Sequence, residues 1–276
     1  MLLEQFSTQP AAWKESLNRY VGHILVPSAQ ELYDNLDWER EARTLCNVEL
    51  VYPPYYLVPH HGVATGYLSN WQAFGWELIE HIFGIQRVRP ALISIAQATH
   101  PQRIVDLGCG TALTSIRLAQ RMPDTELILL DLSPYQLVAA QRQVQCFGLQ
   151  QRTQLRHACA EETGFVDGYA DLVMASLLFH ELPRSTARAV IQEAQRILTP
   201  GGHFLIFDAI QQVVPWPSVD QMINKLLAFF MHEIYWNEYM SEPIWISCAR
   251  QGFIHIKRKI LFAPPWIYQV VLAAKD

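Results

Sequence analysis

The sequence predicts an α/β fold: a parallel sheet in the middle of the chain, helical segments before and after it, and an antiparallel strand pair at the end. Three observations carry this. Between residue 101 and about residue 212, short apolar runs alternate with amphipathic stretches, the rhythm of βα units. A glycine-containing turn, Gly108-Cys109-Gly110, follows the first apolar run directly. The last two strand-like runs have only a Pro-Pro turn between them, too short for a crossover helix. Composition agrees, since a chain of 276 residues that is 50% hydrophobic and 17% charged has ample material for a core and cannot be disordered. The net charge of −5 offers no field for collecting nucleic acid or an anionic membrane. The length suits either two domains or one elaborated α/β domain.

In chain order, residues 1 to about 100 show apolar side chains at helical spacing (Leu17, Tyr20, Val21, Ile24; then Leu78, Ile79, Ile82, Phe83). Between these helices lies a loop rich in proline and tyrosine, from Tyr52 to Gly62. Arg103 to Leu107 reads as the first strand, Ala112 to Arg121 as a helix, and Glu126 to Asp131 as the second strand. Ser133 and Pro134 form a cap-and-first-residue pair for a helix that should stop before Gly148. Strands follow at Gln154 to His157, Asp171 to Ser176 and His203 to Asp208. The helix between the last two is marked by Val190, Ile191, Ala194, Ile197 and Leu198 on one face, with Pro200 ending it and Gly201-Gly202 turning the chain. A helix over 218–239 is expected next, with Val219, Met222, Ile223, Leu226, Leu227, Phe230 and Ile234 as its core stripe. Ile254 to Leu261 and Ile267 to Ala273 close the chain as the antiparallel pair. The domain reading is an N-terminal helical cap or lid over 1–100, then a catalytic-type domain over 101–276 with a helical insertion at 212–250.

The five cysteines (46, 109, 146, 159 and 248) are odd in number and lack a Cys-x-x-Cys pair, which argues against a disulfide framework or structural zinc. No basic segment followed by an apolar run opens the sequence, and the apolar stretch from Ile260 to Ala274 is too short and too proline-broken to span a membrane. A cytoplasmic location and no membrane span are expected.

The turn after the first strand is the chemically informative segment. In Asp106-Leu107-Gly108-Cys109-Gly110-Thr111-Ala112, glycines let the backbone turn tightly and approach a ligand where a strand meets a helix. Ligands of open parallel sheets sit at the carboxyl ends of the strands, near a topological switch. The second strand ends in Asp131, where a carboxylate can accept both hydroxyls of a ribose. Leu113 stands where a dinucleotide fingerprint needs its third glycine, and no Gly-Lys-Ser/Thr follows, so a pyrophosphate is disfavoured. A ligand with a ribose and a carboxylate but no phosphate, such as S-adenosylmethionine, suits the turn better.

With V-D-L-G-C-G-T-A at 105–112, Asp131, A-D-L-V-M-A-S-L-L-F-H-E-L at 170–182 and R-I-L-T-P-G-G at 196–202, the central part of the chain resembles a class I S-adenosylmethionine-dependent methyltransferase. The resemblance is greatest to the small-molecule group that includes ubiquinone and menaquinone C-methyltransferases. It implies a Rossmann-like seven-stranded sheet with its last strand antiparallel, and S-adenosylmethionine as cofactor. It also implies roles: Asp106, Gly108, Cys109 and Gly110 around the methionine moiety, Asp131 on the ribose, Leu132 beside the adenine, and Ala175 and Ser176 near the sulfonium. Cys159 stands where such enzymes often have an aspartate facing adenine, which leaves the base to Ala160, Glu161 or main chain. Ala112 replaces the glycine often found third in the turn.

His180 is the candidate for orienting the acceptor or taking its proton, with Glu181 beside it; its bland alternative is a loop staple. Tyr55, Tyr56, His60, His61 and Tyr67 form either a lid or a packing loop, rigidified by Pro53, Pro54 and Pro59. The far edge of the 218–239 helix would offer His232, Tyr235 and Trp236 as roof. No metal is expected at His60-His61, because no carboxylate or further histidine lies at a supporting spacing. Cys109, with no neighbouring base or cation, reads as a small filler rather than a nucleophile.

Together these point to methyl transfer onto an O, N or C nucleophile of an apolar small molecule, with neither nucleic acid nor membrane as partner and no indication of oligomeric state. The Asn/Asp-Pro-Pro-Tyr motif of adenine-type methylation is missing at Met174 to Leu177. A nicotinamide-dependent reductase and a non-catalytic S-adenosylmethionine-binding module are the rival readings. The aromatic excess also has a place: all eight Trp, nine of eleven Tyr and seven of twelve Phe lie outside residues 101–212, in the parts that would enclose a substrate.

Overall fold

The computed structural model describes residues 36–61, 65–70, 72–73, 75, 80, 83–211, 222, 226, 233–264 and 266–276. The expected helix around Leu17 to Ile24, residues Leu78, Ile79 and Ile82 of the second, and most of the 218–239 stripe, His232 included, lie outside the described residues.

Seven strands form one sheet: β1 Arg103–Leu107, β2 Glu126–Asp131, β3 Thr153–His157, β4 Ala170–Ser176, β5 Leu198–Ala209, β6 Ile254–Ala263 and β7 Trp266–Ala274. Their spatial order is β3-β2-β1-β4-β5-β7-β6. The first five strands are mutually parallel, and β7 runs antiparallel to both β5 and β6. The seven-stranded α/β sheet with an antiparallel last strand is thus as the sequence led us to expect. Chain order runs outward from β1 to β3 on one side and from β4 on the other, so the topological switch lies between β1 and β4.

Both faces of the sheet are covered, and successive strand residues enter opposite layers because the side-chain period of a strand is two. Val105, Leu107, Ile128, Leu130 and Ile206 belong to one layer. Ile104, Leu127, Leu129, Met174 and Leu205 belong to the other. Helices α5, Arg184–Ile197, and α7, Ile244–Arg250, pack on the first face through Val190, Ile191, Ala194, Ile244 and Cys248. On the opposite face lie α2, Ile85–Gln97, and α3, Leu113–Ala119, together with α4, Pro134–Cys146. Helix α1, Trp38–Leu45, docks on α4, with Ala42 against Tyr135, Val138 and Ala139, and with the Tyr135 hydroxyl donating to Glu39 at 2.8 Å.

Element boundaries follow local chemistry. Ser133 caps α4 by accepting the Gln136 N–H at 3.2 Å, and Pro134 occupies the first turn, where its missing N–H costs nothing. Three boundaries differ from expectation. Helix α3 begins at Leu113 because Ala112 sits at φ 59°, in the left-handed region. Strand β5 starts at Leu198, since Leu198 already pairs with Ala170 across a register shift before the regular pairing of Leu172 with His203. The expected 218–239 helix does not run through its end: Glu233 to Tyr235 are non-helical, α6 is a separate turn at Trp236–Ser241, and Pro243 precedes α7. Met222 and Leu226, expected in the core, are helical but exposed.

Candidate active site

A cleft partly open to solvent lies at the carboxyl ends of β1, β2 and β4. Its floor is Gly108, Cys109 and Gly110 after β1, with Leu130, Asp131 and Leu132 at the end of β2. Ala158 and Ala160 after β3 close one end, Ser176, Leu177 and Leu178 after β4 the other, and Tyr55, Tyr56, His60 and Tyr67 cover it.

The floor is held in place by hydrogen bonds that leave it room to bind. Asp131 accepts the Gly110 N–H on one oxygen at 2.9 Å and the Ser133 N–H on the other at 2.8 Å. Each carboxylate oxygen accepts more than one hydrogen bond, so both retain capacity for a ligand hydroxyl. Burial raises the Asp131 carboxyl to about 6, against the pull of the backbone donors at Ser133 and Gly110. Gly108 is at φ 65°, and a Cβ there would come within 2.8 Å of the Leu178 side chain, so the close approach of the two loops requires glycine. Beneath the turn, Asp106 accepts the Ser115 hydroxyl at 2.5 Å, and its other oxygen is buried without a partner. Burial drives that carboxyl up to about 7. Burial also pushes the Cys109 thiol well above its ordinary value, so it is no thiolate nucleophile.

The covering loop is tied down at several points. Ser133 donates to the Tyr67 carbonyl at 2.7 Å, linking the cap of α4 to the lid. His157, at the end of β3, accepts the Asn47 N–H on Nδ1 at 2.8 Å and bonds through Nε2 to the Leu132 carbonyl at 2.9 Å. Burial lowers the His157 pKa, consistent with a neutral ring that accepts on one nitrogen and donates on the other. Nothing in the sequence distinguished His157; its partners lie 110 and 25 residues away. Tyr56 stacks between Tyr52 and Tyr67, with centroids 5.9 and 6.2 Å distant.

Among the expected site residues, Gly108, Cys109, Gly110, Asp131, Leu132, Ala160, Ser176, Tyr55, Tyr56, His60, Tyr67 and Glu181 border the cleft. Others do not. Ala175 faces the core layer, where β4 turns alternate residues inward. Asp106 lies below the turn on Ser115. Glu161 accepts the Tyr55 hydroxyl at 2.7 Å and is absent from the lining, and beside it the cleft is walled by Leu132, Ala158 and Ala160. Cys159 packs against the Tyr56, Leu68 and Leu132 cluster. Tyr235 and Trp236 do not border the cleft among its described lining; Tyr235 lies 6.3 Å from His60, and Trp236 meets His180 edge-on at 6.0 Å.

His180 is also absent from the cleft wall. Its ring bonds Asp208 through Nδ1 at 2.6 Å, and its neighbour Glu181 lines the cleft instead. Burial opposes its charge, but Asp208 and Glu233 outweigh burial and raise His180 to about 10. Glu181 is the hub: one oxygen receives the Tyr67 hydroxyl and His61 Nε2, each at 2.7 Å, and the other lies 3.2 Å from His60 Nδ1. Burial works against ionisation of Glu181, yet the surrounding imidazoles hold its carboxyl well below the usual range. Such a carboxylate orients and accepts hydrogen bonds but is a weak base.

Residues 104–202 match the methyltransferase-domain family. Malonyl-[acyl-carrier protein] O-methyltransferase of Hahella chejuensis is 29% identical over 181 residues, covering 61% of this chain and 58% of the relative. Demethylmenaquinone methyltransferase of Thermus thermophilus is 30% identical over 122 residues, covering 44% of this chain and 54% of the relative. The chain therefore spans little more than half the length of these curated relatives. Among solved structures, an O-methyltransferase family protein from Burkholderia thailandensis superimposes with TM-score 0.55 at 18% identity, covering 69% of this chain and 56% of that one. No relative supports the nicotinamide-dependent alternative. Residues 104–202 are thus similar to a methyltransferase domain, and the sheet that carries them has the fold of the solved O-methyltransferase family protein.

Proposed function

We propose that this protein transfers the methyl group of S-adenosylmethionine to an O, N or C nucleophile of an apolar small molecule. Asp131 carries the proposal: a buried carboxylate at the end of β2, fixed by two backbone donors, with acceptor capacity left on both oxygens at the edge of the cleft. That pair of acceptor oxygens fits the two donors of a ribose diol. The left-handed Gly108 turn suits close approach of the methionine end, and Leu132, Ala158 and Ala160 suit a flat apolar base. When bound, S-adenosylmethionine supplies a methyl group on a positively charged sulfur.

This chain's own residues supply alignment, the main requirement of an in-line displacement. Tyr55, Tyr56 and Tyr67 exclude water from above, Leu177, Leu178 and Leu182 give the far wall an apolar surface, and Glu181 with His60 offers the acceptor a fixed polar contact. The apolar acceptor is supported by those walls and by the aromatic surplus in the segments flanking 101–212, which we read as a cap over residues 1–100 and an insertion at 212–250. A cytoplasmic site of action accords with the chain's chemistry, and no helix among the described residues is long and apolar enough to cross a membrane.

Calorimetric titration with S-adenosylhomocysteine tests the ribose role. Asp131→Ala should weaken binding by about 100-fold, the loss of two hydrogen bonds to a charged acceptor. Unchanged affinity in a folded variant, or binding of NADH with none of S-adenosylhomocysteine, would overturn the reading. Labelled S-adenosylmethionine with a metabolite extract would then identify the methylated product by mass spectrometry.

A further inference from the structure

Behind Glu181 the fold gathers side chains that are far apart in sequence. His61 comes from the covering loop, Glu181 from the turn after β4, His180 from the same turn, and Glu233 from the segment before α6. One donor atom each from His61, Glu181 and Glu233 lie within 4.8 Å of one another. His180 Nε2 adds a fourth, 3.5 Å from Glu181 and 3.9 Å from Glu233. The Glu181 and Glu233 side chains are only 8% and 3% exposed, and Glu233 keeps one buried oxygen without a hydrogen-bond partner. Buried carboxylate oxygens are normally satisfied, so an orphaned one beside two imidazoles marks the cluster as a ligand site.

Orientation strengthens the case. His180 Nδ1 is engaged by Asp208, itself fully buried and fixed by the N–H groups of Phe179 at 2.9 Å and Ala209 at 2.7 Å. A carboxylate on one ring nitrogen is how proteins aim the other at a metal. His61 also holds φ at 49°, a left-handed backbone uncommon outside glycine. The sequence argued against a metal here because no carboxylate lay near His60-His61 in the chain; Glu181 is 120 residues away from His61 and reaches it through the fold.

We propose that His61, His180, Glu181 and Glu233 bind one divalent first-row transition ion, of the zinc, manganese or iron(II) class, at the back of the cleft. Mixed imidazole and carboxylate donors select these ions over calcium and magnesium, which take oxygen ligands. Glu181 borders both the ion and the cleft, so the ion would sit where an acceptor's oxygen could be polarised; this role rests on the methyl-transfer reading, whereas binding of the ion does not.

The test uses the full chain, stripped with chelator and titrated separately with Zn²⁺, Mn²⁺ and anaerobic Fe²⁺, with bound metal measured by mass spectrometry after desalting. At least one ion should be retained near one equivalent. Its affinity should fall tenfold or more in Glu233→Gln and in His180→Gln and stay unchanged in the distant control His203→Gln. Retention of none of the three ions, or stoichiometric binding that both variants preserve, overturns the site. X-ray absorption on the loaded wild-type protein decides the matter if the variants misfold: imidazole and oxygen scattering is expected, and a sulfur shell would refute the assignment. Titrating the stripped and the metal-exposed protein with S-adenosylhomocysteine separates the two readings, because cofactor binding with no ion retained on exposure sinks only the metal site, and ion retention with no cofactor binding sinks only methyl transfer.

Discussion

Single atoms decide how the floor of the cleft is built. A Cβ at Gly108 would lie 2.8 Å from Leu178 and demand a left-handed alanine at φ 65°. We therefore expect Gly108→Ala to weaken S-adenosylhomocysteine at least tenfold by pushing Leu178 into the cleft, alongside a loss of about 1–2 kcal/mol in stability from backbone strain. Calorimetry and urea denaturation measure the two separately. Four residues on, the opposite substitution should help. Ala112 holds φ 59° with its side chain buried, so it carries strain that glycine would not. Ala112→Gly should raise unfolding stability by about 1 kcal/mol, the left-handed penalty partly offset by the freer unfolded chain. A loss of stability in the urea midpoint would show that the alanine methyl packs better than its backbone suffers.

Whole elements were legible where one local signal set them. Arg103–Leu107 and Glu126–Asp131 are strands over the span their apolar runs predict, and Ser133-Pro134 opens α4 as its capping chemistry requires. The segment after β5 was not legible, because long-range polar contacts shape it. Gln211 Nε2 donates to the carbonyls of Tyr239 at 2.6 Å and Glu242 at 2.8 Å, and its oxygen accepts from Ile244 N–H at 2.7 Å and from Gln269 at 3.1 Å. Gln269 also reaches the Tyr239 hydroxyl, at 2.9 Å. These bonds tie the end of α6 to the start of α7 and fix both against β7. An apolar stripe cannot foretell a buried glutamine satisfying two helix ends. Gln211→Ala should cost about 3 kcal/mol in chemical denaturation, since it strands several buried groups at once. A cost below about 0.5 kcal/mol would mean that water replaces the side chain.

For the whole molecule, sequence brought out the turn that floors the cleft and named His61 and Glu181 separately, but not their convergence with Glu233. Asp106, Gly108, Gly110 and Asp131 sit in contiguous motifs, whereas His61, Glu181 and Glu233 meet only through folding, and His157 works through partners on two other segments. The floor itself burdens the fold with buried charge. Asp106 is raised to about 7 and Asp131 to about 6, in both cases chiefly by burial. A carboxyl whose folded pKa lies above its unfolded value of about 4 binds protons more tightly in the native state, so its contribution to stability declines as pH rises between those two values. For Asp106 the window runs from about pH 4 to about pH 7. Asp106→Asn removes that titration while keeping an acceptor for Ser115, which donates to Asp106 at 2.5 Å. Whatever fixed cost the new amide carries is the same at every pH, so the variant should gain on the wild type as pH rises from 5 to 8. Between pH 5 and pH 8 the gain should reach about 3 kcal/mol, the two pKa steps of about 1.4 kcal/mol each that lie above pH 5. Urea unfolding of both proteins at pH 5, 6, 7 and 8 measures it, and parallel stability profiles would mean that Asp106 does not carry its charge against the fold.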